Sequence, residues 1–95
     1  MTEVSWSEWL DYSQEQITKI PEDSGVYMMH AVMKILFIGN ATNLRQPILE
    51  SLNDACTKDA KRFKYSTTQD HEKIKTQLLK EYQEKHDGKM PKCME

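Results

Sequence analysis

Several side chains in this 95-residue sequence could do chemistry, and their spacing decides which chemistry is open to them. Three histidines and two cysteines are candidate zinc ligands, but zinc sites pair their ligands in patterns such as Cys-x2-Cys or His-x3-His. No such pair occurs in the sequence, which favours surface histidines and structural thiols over a zinc site. The residues concerned are His30, His71, His86, Cys56 and Cys93. We predict that both cysteines are reduced, because a small secreted chain more often carries four or more cysteines.

Basic side chains gather in one short segment. Residues 58–95 carry ten basic and seven acidic side chains, whereas residues 1–57 carry three basic and eight acidic ones. The densest group, which alternates with aromatic residues and could follow a phosphate backbone, is Lys58, Lys61, Arg62 and Lys64. A solvated helix or strand surface is the alternative interpretation of these charges. Trp6, Trp9 and Tyr12 could stack on bases, although helical spacing favours core packing for the two tryptophans.

The composition limits the class of protein. Apolar residues make up 38% of the chain, charged residues 29%, and the formal net charge is −2. A chain of this size is predicted to form a single domain over residues 1–95, and its near-balanced charge argues against a protein that mainly wraps polyanions. The sequence has no apolar run of membrane-spanning length and no pattern typical of a signal peptide. We therefore expect a soluble, cytoplasmic protein with no membrane association.

Local patterns predict the elements that position these residues. A Ser5–Glu8 capping box starts a helix over 5–18, and two apolar runs with little between them predict an antiparallel hairpin over 25–39. A helix over 43–55, a strand over 61–67 and a C-terminal helix over 70–87 follow. The predicted fold class is α/β (α+β), with a small three-stranded antiparallel sheet flanked by three helices in the order α-β-β-α-β-α.

Two short motifs within the hairpin resemble a known family. The sequence GVY at 25–27 is followed by nine residues and then by FIG at 37–39, after which NATNLRQPI occupies 40–48. This pattern is similar to the signature of the GIY-YIG nuclease superfamily, and the motif positions are Gly25, Val26, Phe37, Ile38, Gly39 and Asn40. The resemblance extends over residues 20–85 and implies the same element order as the local patterns do.

The resemblance implies metal-assisted cleavage of phosphodiester bonds with Mg²⁺ or Mn²⁺. Tyr27 takes the place of the family's tyrosine that assists the attacking water, and Arg45 takes the place of the arginine that stabilises phosphoryl charge. Glu72 is the nearest substitute for the family's metal-binding glutamate.

Three positions depart from the family pattern: Phe37 replaces a tyrosine, Asn40 replaces a common lysine, and Lys75 stands where the metal-binding glutamate is expected. Lys75 is instead a candidate nucleic-acid contact.

Two functions follow as hypotheses. The first is a nuclease-like domain that binds nucleic acid, DNA rather than RNA, in which the three departures weaken metal-dependent cleavage. The alternative is a catalytically inactive module of the same fold that binds a protein partner, because a fold alone does not determine a function.

Overall fold

The computed structural model describes residues 6–31 and 34–94. Four strands form one antiparallel sheet in the order β1-β4-β2-β3. The elements follow the order β1 (Leu10–Asp11), α1 (Gln14–Ile17), β2 (Gly25–Ala31), β3 (Lys34–Ala41), α2 (Arg45–Ser51), β4 (Arg62–Thr67) and α3 (His71–Lys85). Short 3-10 turns lie at Thr57–Asp59 and Lys92–Met94. The α+β class and the three helices agree with the sequence prediction, but the predicted three-stranded sheet is wrong by one strand.

The N-terminal segment accounts for that difference. Residues 6–9 are not helical, and the helix predicted over 5–18 shrinks to α1, which is capped by the Ser13 side chain. The predicted Ser5 cap lies outside the described residues. The segment instead pairs with β4: the Ser7 amide donates to the Tyr65 carbonyl at 2.9 Å, and Leu10 aligns with Phe63. Hydrogen bonding to a distant strand therefore prevails over the local helical pattern.

The central strand β2 separates two layers of packing. Gly25, Tyr27 and Met29 alternate onto one face of the sheet, and Tyr27 and Met29 join the main core there. The helices α1 and α2 contribute to that core, whose remaining buried members are Ile17, Ile20, Leu36, Leu44, Ile48, Ala60 and Phe63. On the other face, α3 packs against β2 and β3. The sheet thus has an α2 face, which carries Tyr27, and an α3 face.

Both helices that follow the hairpin are shorter than predicted. The helix predicted over 43–55 is observed as α2, Arg45–Ser51, after which the chain turns towards the 3-10 turn Thr57–Asp59. The helix predicted over 70–87 is observed as α3, His71–Lys85. Asp87 and Gly88 follow it with φ values of 56° and 81°, so two residues in the left-handed region end the helix.

The C-terminal segment folds back across β3. Cys93 forms a disulfide with Cys56, so the prediction of two reduced thiols is wrong. Pro91 is fully buried, and the Ile38 amide donates to Met94 Sδ at 3.5 Å. Because β3 is the last strand in the sheet order, this segment covers an edge that would otherwise present unpaired backbone groups. No helix within residues 6–31 and 34–94 is long and apolar enough to cross a membrane.

Candidate functional site

Tyr27 lies in the middle of β2, between Gly39 on β3 and Tyr65 on β4. Its side chain is only 5% exposed, and its ring stacks on Phe37 with 5.8 Å between centroids. A Cβ atom added at Gly39 would lie 2.5 Å from the Tyr27 hydroxyl and from Cζ. The absence of a side chain at Gly39 therefore allows the Tyr27 ring to lie flat across the neighbouring strand, which explains why the motif needs glycine there.

Burial controls the chemistry of the Tyr27 phenol. Desolvation raises the pKa of Tyr27 to about 12, and the negative charge of Glu50 adds to the shift. The phenol is consequently neutral at physiological pH. It can donate or accept a hydrogen bond, but its deprotonated form is too rare to act as a base on water.

A small hollow of about 180 Å³ opens beside Tyr27. It is called the Tyr27 pocket, and its lining residues are Tyr27, Met29, Phe37, Pro47, Glu50, Ser51, Asp54 and Thr57. Two of these side chains are acidic and none is basic. Tyr12 Oη lies 2.6 Å from Ser51 Oγ, and the Thr57 hydroxyl donates to the Ser51 carbonyl. Because these hydroxyls already have protein partners, the carboxylates determine the pocket's charge.

Arg45 is held by groups of the protein itself. Its Nε and Nη2 atoms donate to the Ile20 carbonyl at 3.0 and 2.8 Å. Its Nη1 donates to Glu22 Oε1 at 2.7 Å, in an ion pair that remains partly exposed. Arg45 lines a different hollow from Tyr27, and Glu50 is the residue common to the two. The guanidinium therefore joins α2 to the chain before β2, and the structure does not bring Tyr27 and Arg45 into one pocket.

The remaining candidates lie with α3 on the opposite face of the sheet. Met28 and Ile38 on that face line a hollow with α3 side chains. Asn40 Nδ2 lies 2.7 Å from His71 Nδ1 at the start of α3, so the residue that replaces the family's lysine joins a helix to the sheet. Glu72 is exposed in the first turn of α3, and Lys75 is half-buried one turn later. Both side chains are thus separated by the sheet from Tyr27.

The positions of these residues do not form a binding site for the divalent ion that the resemblance implies. Mg²⁺ is held by carboxylate oxygens together with water or substrate oxygens. In the part of the chain that the structure describes, no group of three or more His, Cys, Asp or Glu side chains could hold a metal ion. Glu72 is separated from the candidate reaction groups by the sheet. The residues present therefore do not fit the metal centre.

A second candidate region lies along β4, and it is called the β4 surface: Trp6, Trp9, Lys61, Arg62 and Lys64. Lys64 Nζ lies 4.8 Å from the Trp6 ring centroid and 4.7 Å from that of Trp9. Burial lowers the pKa of Lys64. Trp9 is 38% exposed, so the interpretation of the tryptophans as core residues of a helix is wrong. Lys61 and Arg62 are exposed, and Lys58 is exposed in the preceding 3-10 turn.

The comparisons with known proteins agree with this architecture. The family model described as "Domain of unknown function (DUF7508)" matches residues 5–85. The chain belongs to this family. No curated protein matches the sequence.

Solved structures show the fold. The N-terminal GIY-YIG endonuclease domain of UvrC from Thermotoga maritima, bound to magnesium, matches with a TM-score of 0.67 and 20% identity over 84% of this chain and 92% of the UvrC chain. A point mutant of the same domain, bound to its catalytic divalent cation, matches with a TM-score of 0.67 and 21% identity over the same shares. The DUF7508 chain therefore has a GIY-YIG-like fold, as the two motifs predict.

Sequence reasoning missed the acidic side of the Tyr27 pocket. Glu50 and Asp54 are four residues apart, at the end of α2 and just beyond it, and both line the pocket. That spacing places two side chains on one side of a helix, so it was a usable signal. Their proximity to Tyr27 was not readable, because it depends on how α2 crosses the sheet.

Proposed function

We propose that this DUF7508 chain is a nucleic-acid-binding domain of GIY-YIG fold that does not cleave its ligand. The absence of cleavage is inferred from the hydrogen bonds of Arg45. A guanidinium that stabilises a phosphoryl group must direct its donors at the phosphate oxygens. Arg45 directs Nε and Nη2 at the Ile20 carbonyl and Nη1 at Glu22.

Charge around Tyr27 supports the same conclusion. A phosphodiester approaching the Tyr27 pocket would meet Glu50 and Asp54 with no lining cation to offset them. The neutral phenol of Tyr27 adds no base, since its pKa is about 12. Tyr27 and Arg45 are thus assigned structural rather than catalytic roles, and the exposed Glu72 is assigned no catalytic role.

The β4 surface supports the binding half of the proposal. Lys61 and Arg62 are exposed for phosphate contacts, and Trp9 offers part of an aromatic ring to a base. Lys58 extends the basic edge, whereas Lys75 lies on α3 and takes no part in this surface. Contacts of this kind do not read sequence, so binding should be non-specific and sensitive to salt.

Fluorescence provides a direct test, because both tryptophans of the chain lie on the β4 surface. Single-stranded DNA, duplex DNA and single-stranded RNA should quench the tryptophan emission at low salt and lose affinity as salt rises. Trp9→Ala should weaken single-stranded binding by about 1–3 kcal/mol, the usual range for one stacked base. Arg62→Ala should reduce the salt slope by roughly 0.7–0.9, as expected for one lost phosphate contact.

Lys80→Ala is the matched control, because Lys80 is an exposed lysine on α3 away from β4. Its affinity and salt slope should equal those of the unaltered protein. Supercoiled plasmid incubated with Mg²⁺ or Mn²⁺ should remain intact. Nicking that disappears in Arg45→Ala would refute the non-cleaving assignment, while unchanged emission with all three nucleic acids would refute binding.

The alternative, an inactive protein-interaction module, is favoured by one observation. The Tyr27 pocket combines acidic side chains with apolar walls, which suits a cationic group better than a phosphate. This alternative becomes the better assignment if nucleic acids fail to bind.

A further inference from the structure

The Tyr27 pocket carries a feature that the nucleic-acid hypothesis does not use. The Tyr27 side chain is 5% exposed, yet its hydroxyl makes no hydrogen bond within the described residues. In that same part of the chain, every fully buried side-chain nitrogen or oxygen has a partner. The Tyr27 oxygen is therefore not sealed off, and it remains accessible from the pocket that its side chain lines.

Two carboxylates complete the polar wall. Asp54 Oδ1 accepts the amides of Cys56 and Thr57, at 2.9 and 3.3 Å, and these bonds lower the pKa of Asp54, so the group stays ionised. The Thr57 hydroxyl also lies close enough to Asp54 to lower its pKa further. Glu50 is exposed and close enough to Tyr27 for its charge to influence the phenol. The pocket thus offers one phenol oxygen and two carboxylates as hydrogen-bond acceptors.

We propose that the Tyr27 pocket binds a primary alkylammonium group. An ammonium group has three N–H donors and no acceptor, which matches one phenol oxygen and two carboxylates. The apolar wall of Met29, Phe37 and Pro47 suits the methylene chain behind the charge. The volume of about 180 Å³ is below the roughly 300–1,000 Å³ typical of drug-sized ligands, so the pocket accommodates a chain end rather than a nucleotide.

Neighbouring cations do not neutralise this site. Arg45 borders the adjacent hollow, but its charge is paired with Glu22. Lys58 follows the lining residue Thr57 and is itself exposed and outside the lining. A divalent metal is a poorer occupant, because two carboxylates with no third acidic or imidazole ligand fall short of a metal-binding group.

A primary alkylammonium group occurs both in free diamines and in lysine side chains, and separate titrations distinguish these two kinds of ligand. Uniformly ¹⁵N-labelled protein is titrated with putrescine and, separately, with N-acetyl-lysine methylamide, while amide shifts are followed by NMR. Saturable shifts should centre on Gly39, Ser51 and Thr57, with a dissociation constant on the order of 1 mM for so small a ligand. Saturation by putrescine alone would assign a free polyamine, and saturation by both ligands would assign the ammonium group in either setting.

Substitutions identify the acceptors. Glu50→Gln and Asp54→Asn should each weaken binding roughly tenfold, because each removes a charge-assisted hydrogen bond. Tyr27→Phe should weaken it less, about threefold, because the phenol acceptor carries no formal charge and both carboxylates remain. Glu84→Gln, an exposed acid on α3, is the matched control and should leave the affinity unchanged. If Asp54→Asn unfolds the chain through its lost amide contacts, Glu50→Gln still decides the matter.

Three results would overturn the proposal. The first is an equal response to 1,4-butanediol, which has the same length and no charge. The second is an equal response to NaCl at matched ionic strength. The third is saturation of the same amides by Mg²⁺ at lower concentrations than by putrescine, because the site would then select charge density instead of an alkylammonium group.

Discussion

The Tyr27 pocket and the β4 surface lie on opposite faces of one sheet and hold their charged groups in opposite ways. In the Tyr27 pocket, carboxylates border a buried phenol. On the β4 surface, Lys64 lies over two indole rings and the neighbouring cations are exposed. The motif residues Tyr27 and Phe37 thus line the acidic pocket, while the groups suited to polyanions are elsewhere. A motif can specify a fold while the chemistry around it changes.

Removal of the disulfide, which lies beside the Tyr27 pocket, should have the largest effect on stability. The Cys56–Cys93 bond closes 37 residues of chain, and Cys56 is next to Thr57 of the Tyr27 pocket. Reduction, or the pair Cys56→Ser and Cys93→Ser, should lower the free energy of unfolding by about 2–4 kcal/mol. Urea unfolding with and without reductant measures the change. Tryptophan emission of the folded state should stay the same, because contacts with Lys64 on β4 hold the Trp6 and Trp9 rings. Identical urea midpoints would contradict the prediction.

At alkaline pH, Tyr27 in the pocket and Lys64 on the β4 surface should change the free energy of unfolding in opposite directions. The Tyr27 pKa is raised from 10.0 to about 12, so this group's contribution is fully present below pH 10 and is lost as pH rises towards 12. The free energy of unfolding should fall by about 2–3 kcal/mol over this pH range. Burial lowers the pKa of Lys64, so at alkaline pH the Lys64 side chain holds more protons in the unfolded protein than in the folded protein. The contribution of Lys64 to the free energy of unfolding therefore rises with pH, whereas that of Tyr27 falls.

Tyr27→Phe is the variant that tests this assignment. It should flatten part of the alkaline decline of stability and reduce the phenol absorbance change near pH 12, because burial also raises the pKa of Tyr12 and that phenol remains. Tyr65→Phe, on the neighbouring strand, is the control and should leave the absorbance change near pH 12 in place. An absorbance change near pH 12 that is as large in Tyr27→Phe as in the parent would contradict the assignment of the raised pKa to Tyr27.

Gly39→Ala should disrupt the acidic region alone. The new Cβ would lie 2.5 Å from the Tyr27 ring and 2.6 Å from that of Phe37, so two stacked aromatic side chains must move. Overpacking of this kind costs about 1–3 kcal/mol.

Gly88→Ala provides the comparison, because its Cβ meets no atom within 4 Å and only the φ of +81° opposes it, at about 1 kcal/mol. Thermal unfolding of both variants measures the difference. A Gly39→Ala variant as stable as the parent would show that the ring does not occupy the place of that side chain.

The sequence was informative where structure is local. The hairpin, the arginine-bearing helix and α3 follow from apolar periodicity and turn residues within short windows, and their boundaries differ from the structure by a few residues. The N-terminal segment differs from its predicted helix because its tryptophan spacing fits a helix, whereas its partner β4 lies about 50 residues further along the chain. The disulfide is not predictable for the same reason, since pairing of distant cysteines depends on the tertiary fold.

The candidate site was predictable in its residues but not in its arrangement. Tyr27 and Arg45 were identifiable from two motifs, and both lie near α2. Their separation is not readable, because it results from Glu22 and the Ile20 carbonyl capturing the guanidinium. The face on which α3 packs likewise decides that Glu72 and Lys75 are remote from Tyr27, and no local pattern encodes that choice.

The smallest expected effect concerns Arg45, and it tests whether this residue acts as a structural anchor. Arg45→Ala should lower stability by about 1–2 kcal/mol, because the Ile20 carbonyl loses two donors in a half-buried position. Glu22→Gln should cost less than about 0.5 kcal/mol, since it weakens only a partly exposed ion pair. Urea unfolding at low and high salt separates the two contributions, because salt should diminish the Glu22 effect and leave most of the Arg45 effect. If instead both variants cost the same and both effects vanish in salt, the ion pair alone would hold Arg45, and its guanidinium would be free to turn towards a phosphate.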